Sequence, residues 1–140
     1  MPTILAVGKV YTELSKFVEL VQKAGKAGLV DKLKGKGPFT VFAPNDEAFK
    51  KVPKEVMDNL EKPGKEKLLK DVLLRHIVDE QAWMAEDIPE GEIDTAGDLN
   101  ITVTKNGDTV TIENEMGKAT VVNANKVISN GVVHIVDKLI

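Results

Sequence analysis

Two histidines, His76 and His134, are the side chains whose type best suits proton transfer or metal ligation near neutral pH. A metal would need both histidines and a carboxylate together, and their spacing shows no such arrangement. His76 continues a leucine stripe and His134 sits in a branched-aliphatic run. Both positions read as core histidines whose ring nitrogens are held by backbone or neighbouring polar groups. The chain has no cysteine, which excludes thiolate catalysis, Cys-based zinc sites and disulfides. Its serines are Ser15 and Ser129, neither in a Gly-x-Ser-x-Gly elbow, and no phosphate loop is present. From Asp79 to Asp98 there are eight acids and no Lys or Arg. Clustered carboxylates suit a hard cation, but no EF-hand spacing accompanies them, so the stretch reads as a solvated acidic loop or face. Trp83 and Met84 interrupt it. An exposed Trp suits an interaction anchor, whereas the plainer reading folds both residues back onto the core. No catalytic, cofactor-binding or metal-ligating residue is assigned.

These residues depend on elements that the hydrophobic periodicity outlines. Leu14, Phe17, Val18 and Val21 recur at three- and four-residue spacing, predicting a helix over 12–24 that ends at Gly25 and Gly28. A short turn of helix follows at Leu29, Val30 and Leu33. Phe39 to Ala43 reads as a buried strand, with Thr40 assigned to turn chemistry beside it and Asn45 to a helix cap with Asp46 and Glu47 in the first turn. Pro53 suits the first position of a helix running through Val56, Met57 and Leu60. The clearest helix covers about 65–77, with Leu68, Leu69, Val72, Leu73 and His76 on one stripe and a Glu66–Lys70 pair outside. After Asp98 the period becomes two. Ile101 and Val103, then Val110 and Ile112, flank Asn106-Gly107 as a hairpin. A turn over 113–118 leads to a strand at Thr120-Val121-Val122, and Val132 to Val136 reads as a strand buried on both faces. Helices followed by strands give an α+β domain.

The bulk properties agree. At 140 residues the chain has the length of one domain, assigned as 1–140. With 42% hydrophobic and 29% charged residues it has the balance of a soluble globular protein. No stretch reaches the ~20 apolar residues of a membrane span. The net charge of −3 and the lack of a basic stripe with aromatics exclude a typical nucleic-acid binder. Met1-Pro2-Thr3 lacks the features of a signal peptide.

Two stretches resemble a known family. Gly37-Pro38-Phe39-Thr40-Val41-Phe42-Ala43-Pro44-Asn45-Asp46-Glu47-Ala48-Phe49 resembles the first signature box of fasciclin (FAS1) domains, and Ser129-Asn130-Gly131-Val132-Val133-His134-Ile135-Val136-Asp137 resembles the closing box. Leu73-Leu74-Arg75-His76-Ile77-Val78 lies where the family places a Tyr-His pair. The resemblance implies a wedge-shaped β-sandwich of about seven strands with several helices packed on one side. It also implies an extracellular or cell-surface adhesion or matrix-interaction module that binds protein or glycan partners without catalysis. The isolated domain is expected to be a monomer. The alternatives are a carrier of a small apolar or lipid ligand and a polysaccharide-active enzyme whose acids meet in space. In animal matrix members the Tyr-His pair and an Asp-Ile dipeptide before the closing box have been proposed as integrin contacts. Here Arg75 replaces the Tyr and Asn125-Lys126 replaces the dipeptide. The acid that would reach an integrin metal is missing, which argues against integrin binding. The candidate interaction residues are Arg75, His76, Trp83 and Met84.

Overall fold

The alternating stretch after Asp98 folds as consecutive hairpins in the computed structural model, which describes residues 3–140. The strands are β1 (Phe39–Pro44), β2 (Ile77–Asp79), β3 (Gly91–Ile93), β4 (Ile101–Asn106), β5 (Thr109–Asn114), β6 (Gly117–Ile128) and β7 (Gly131–Val136). They join in the order β2-β1-β7-β6-β5-β4-β3. Neighbours are antiparallel except β1 and β7, which run parallel from Phe39↔Gly131 to Pro44↔Val136. The β4–β5 turn centres on Gly107-Asp108, one residue later than expected, because Asn106 still pairs with Thr109. Gly107 supplies the positive φ (63°) that a tight reversing turn needs at its first central position.

β6 is longer than its sequence suggests. Its first part pairs with β5 and its last part with β7, with register irregularities between Val121 and Lys126. Asn125 takes a positive φ of 64° there. Such bulges bend and twist a strand, and this one carries β6 from one half of the sheet to the other. The sheet is nearly closed as a result.

The helices are α1 (Val7–Val10), α2 (Ser15–Lys23), α3 (Leu29–Leu33), α4 (Asp46–Lys50), α5 (Lys54–Glu61) and α6 (Glu66–Leu74). A 3-10 turn over Thr12–Leu14 leads into α2, whose Phe17, Val18, Leu20 and Val21 are buried. Asn45 caps α4 as expected, its side-chain oxygen accepting from the Ala48 N–H at 2.8 Å, an arrangement worth about 1 kcal/mol. Pro53 stands just before α5 rather than within it, extended at ψ 140°. Leu68, expected on the buried stripe of α6, lies at the surface at 37% exposed, and Val56 of α5 is 47% exposed. The Glu66–Lys70 pair gives way to a longer-range contact, in which Lys70 Nζ donates to the Ala27 carbonyl at 2.8 Å.

Buried side chains form two clusters on either side of β1 and β7. Val41, Ala43, Val133 and Ile135 join Phe17, Leu20, Leu29 and Leu73 beneath the helices. Phe42 and Val136 face the other way, joining Ile88, Ile101, Val103 and Ile112 inside the curl of the sheet. Each large aliphatic buried in these clusters contributes about 1.5–3 kcal/mol. β1 and β7 are thus covered on both faces, which explains why their sequences are apolar apart from Thr40 and His134.

The entry of β7 is fixed by contacts that only glycine permits. Asn130 Nδ2 donates to the carbonyls of Leu33 and Gly35, both at 2.8 Å, and the Phe39 N–H donates to the Asn130 carbonyl at 3.0 Å. A Cβ at Gly131 would fall on the Phe39 carbonyl oxygen and lie 3.0 Å from the Phe39 nitrogen. Backbone cannot swing aside as a flexible side chain can. Gly131→Ala is therefore expected to cost about 1–3 kcal/mol, read as a lower urea midpoint with the slope unchanged. An unaltered midpoint would mean that β1 and β7 can separate freely at this end.

Candidate functional site

The four candidate interaction residues flank the short strand β2, Arg75 and His76 before it and Trp83 and Met84 after it. His76 is completely buried. Its Nδ1 lies 3.0 Å from the Val72 carbonyl, and its Nε2 accepts from the Ile140 N–H at 3.0 Å. Only one neutral tautomer satisfies both bonds, with the proton on Nδ1. Burial lowers its pKa from 6.5 to about 4, and the nearby Arg75 charge adds to the fall against the pull of the Val72 hydrogen bond. The ring is a neutral tie between α6 and the segment after β7, with no free nitrogen for a partner or a metal.

Arg75 is better exposed to a partner. Its Nε donates to Asp98 Oδ1 at 2.7 Å and its Nη2 to Oδ2 at 3.2 Å, a bidentate pair. The hydrogen bond from Arg75 holds the Asp98 carboxyl below its ordinary range. Gly97 makes this approach possible, since a Cβ there would lie 2.6 Å from the Arg75 nitrogen. The Ala96 N–H also donates to the Ile77 carbonyl at 2.8 Å, so this segment covers part of the free edge of β2.

The loop carrying Trp83 and Met84 is pinned at three points. Thr40 is a fully buried strand residue, not a turn residue. Its Oγ1 donates to the Gln81 carbonyl at 2.6 Å and accepts from the Trp83 N–H at 3.0 Å. His134 Nε2 lies 2.8 Å from the Trp83 carbonyl, while its Nδ1 accepts from the Asn125 N–H at 3.1 Å. These partners place the His134 proton on Nε2. Burial lowers the pKa of His134, with the Trp83 carbonyl opposing the shift. Asn125 completes the set, its side-chain oxygen accepting from the Ala85 N–H at 2.7 Å. Trp83 and Met84 are each half-buried, and the Trp ring packs against the cluster inside the sheet. Among the described residues no three His, Asp or Glu side chains gather as a metal site.

A groove that no sequence motif announces opens beside Arg75. It lies between α5, α6 and residues 138–140, with a volume of about 600 Å³. Val56 and Met116 stand exposed on it, and Lys51 and Lys138 line it with Arg75. The one signal available beforehand was an apolar residue at position 56 followed by Met57 and Leu60, which could not be told from a wide core face.

Comparison with known proteins covers both flanks of β2 and the two signature boxes. The chain matches the Fasciclin domain family over residues 12–140. It is 36% identical over 126 residues to protein sll1483 of Synechocystis, covering 89% of this chain and 66% of that one. It is 34% identical over 125 residues to the transforming growth factor-beta-induced protein ig-h3 of Sus scrofa, covering 89% of this chain and 17% of that one. The chain thus spans only part of both relatives. Its fold superposes on a FAS1 domain pair from the insect cell adhesion molecule fasciclin I with a TM-score of 0.72 at 20% identity, over 99% of this chain and 50% of that one. The α+β architecture, the parallel pairing of the two boxes and the match over nearly the whole sequence lead to one assignment: the chain belongs to the fasciclin domain family.

Proposed function

We propose that this domain is an adhesion- or matrix-type binding module, acting at a cell surface or in the extracellular space on a protein or glycan partner through the loop that carries Trp83 and Met84. Fasciclin domains are generally non-catalytic binding modules, and the observation that supports this surface is the three-point pinning of the loop. Thr40, His134 and Asn125 hold the backbone of residues 81–85 against the sheet. A half-exposed aromatic on a fixed backbone loses little conformational entropy on binding, which is the usual condition of an interaction anchor. The surrounding carboxylates favour a partner surface with positive charge, through faster encounter more than through affinity. Asn125 serves the loop and the bulge through its own hydrogen bonds, and no acid stands in its place. That argues for a partner other than an integrin.

Tetramerised domain on an array of matrix proteins, glycans and intact cells tests this reading. Wild type is expected to bind a discrete set, with Trp83→Ala losing about tenfold or more of that binding. Because the ring also touches the core, the urea midpoint of the variant is measured beside it. Binding that survives Trp83→Ala in a folded variant would remove the loop from the interface. Silence of the multivalent wild type would overturn the module assignment for this chain.

A further inference from the structure

The groove beside Arg75 combines an apolar wall with a basic rim, and its chemistry is independent of the Trp83 loop. Val52, Val56, Leu60, Val72, Met116 and Leu139 line it. Its volume of about 600 Å³ is within the ~300–1,000 Å³ of small-molecule sites. Met116 is 66% exposed, and with Val56 it offers apolar surface from which a hydrocarbon chain would displace water favourably. The charged side chains of the lining are of one sign. Lys51, Arg75 and Lys138 are present and no Asp or Glu is, although the whole chain carries a net charge of −3. Lys51 Nζ donates to the Asp137 carbonyl at 3.2 Å, and among the described residues neither Lys51 nor Lys138 has a carboxylate within ion-pair distance. Arg75 uses Nε and Nη2 on Asp98, leaving its Nη1 hydrogens for another acceptor.

We infer that this groove binds a free aliphatic carboxylate, with its hydrocarbon chain along the wall and its carboxylate among Lys51, Lys138 and Arg75. Neither half of the lining suits a simpler occupant. A small polar anion would leave the apolar wall uncovered, and a neutral hydrocarbon would take cations out of water without compensation. An amphipathic anion satisfies both at once.

Isothermal titration with octanoate, decanoate and dodecanoate, each below its micellar concentration, tests the assignment on the intact chain. Affinity is expected to rise about three- to fourfold per added methylene. The Lys51→Gln/Lys138→Gln double variant should weaken dodecanoate by about five- to tenfold. Val56→Glu, a substitution at an exposed position, should weaken it further by placing a like charge in the wall. Trp83→Ala should leave the titration unchanged, which separates this site from the proposed adhesion surface. Absence of binding, affinity independent of chain length, or indifference to the double variant would each overturn the assignment. So would binding to phosphatidylglycerol vesicles without binding of soluble dodecanoate, since that would make the groove a membrane contact.

Discussion

Phe42→Ala is expected to cost about 3–5 kcal/mol, the largest loss of any single truncation proposed for this domain. Phe42 is fully buried and lies in the middle of β1, the strand shared by both halves of the core. It is the largest buried side chain in the cluster inside the sheet, which it shares with Ile88, Ile101, Ile112 and Val136. Its ring also lies 5.7 Å from the His134 ring, centroid to centroid, at a 30° tilt. Removing it opens a cavity bounded by strands that are hydrogen-bonded on both edges, so collapse around it is limited and the cost falls towards the upper end. The loss should appear as a lower urea midpoint, and most of it should return in Phe42→Leu, which refills much of the volume. A loss below ~1 kcal/mol would show that the sheet closes over the gap. Because His134 holds the Trp83 carbonyl, the same variant is expected to speed amide hydrogen exchange in the loop over 81–85.

Acid should destabilise the fold well before its carboxylates titrate. An unfolded histidine takes up a proton near pH 6.5, whereas buried His76 resists until about 4. Between those values the unfolded chain binds more protons than the folded one, so stability rises with pH. The His76 contribution is complete above the unfolded value and is lost as pH falls towards the folded one. The gap is worth about 3 kcal/mol in full. His134 is shifted the same way and adds to the slope. Glu61, lowered mainly by hydrogen bonds from Lys16 and then Lys23, and Asp98, lowered by Arg75, contribute only further down. Their support is present above their ordinary values near 4 and disappears as pH falls below them. Denaturation midpoints at pH 7 and pH 4.5 should therefore differ for wild type, and the difference should shrink by about 2 kcal/mol in His76→Gln. Equal slopes in the two proteins would mean that His76 is already charged in the fold or reaches solvent.

The sequence exposed those parts of the fold whose burial is set by a single continuous surface. β1 and β7 were legible because strands covered on both faces must be mostly apolar, with Thr40 and His134 as the polar exceptions. The β4–β5 hairpin was legible because one covered face imposes alternation and Gly107 marks the reversal, although the turn falls one residue after Asn106-Gly107. The three-residue strands β2 and β3 are too short to show a period. In β6 the polar run Asn123-Ala124-Asn125-Lys126 looks like a loop, and it is the bulge that turns the strand. The helix expected over 65–77 was drawn too long and its stripe too wide. The observed α6 ends at Leu74, so His76 lies beyond it and Ile77 already belongs to β2. Leu68 lies at the edge of the stripe and needs no partner to be tolerated at the surface. His76 and His134 were recognised as satisfied core residues, but their partners were not. Ile140, Asn125 and Trp83 are brought to them only by the chain's return through β7 and the bulge. Thr40 was misread for the same reason, since its two partners lie in a loop some forty positions away.

The parallel pairing of β1 with β7 also governs when this protein can fold. Every strand contact of β7 with β1 joins the early part of the sequence to its last strand. A chain emerging from a ribosome can form α2, α6 and the β4–β5 hairpin on its own schedule, because those contacts are local. The run Phe39-Thr40-Val41-Phe42-Ala43 has to wait with one long edge unpaired until residues 131–136 arrive. During that interval it is an apolar, β-prone strand without its permanent neighbour, the kind of segment that invites pairing between nascent chains. Slower translation would lengthen the exposure, and a chaperone that covers extended apolar segments would find its main client site in the first signature box.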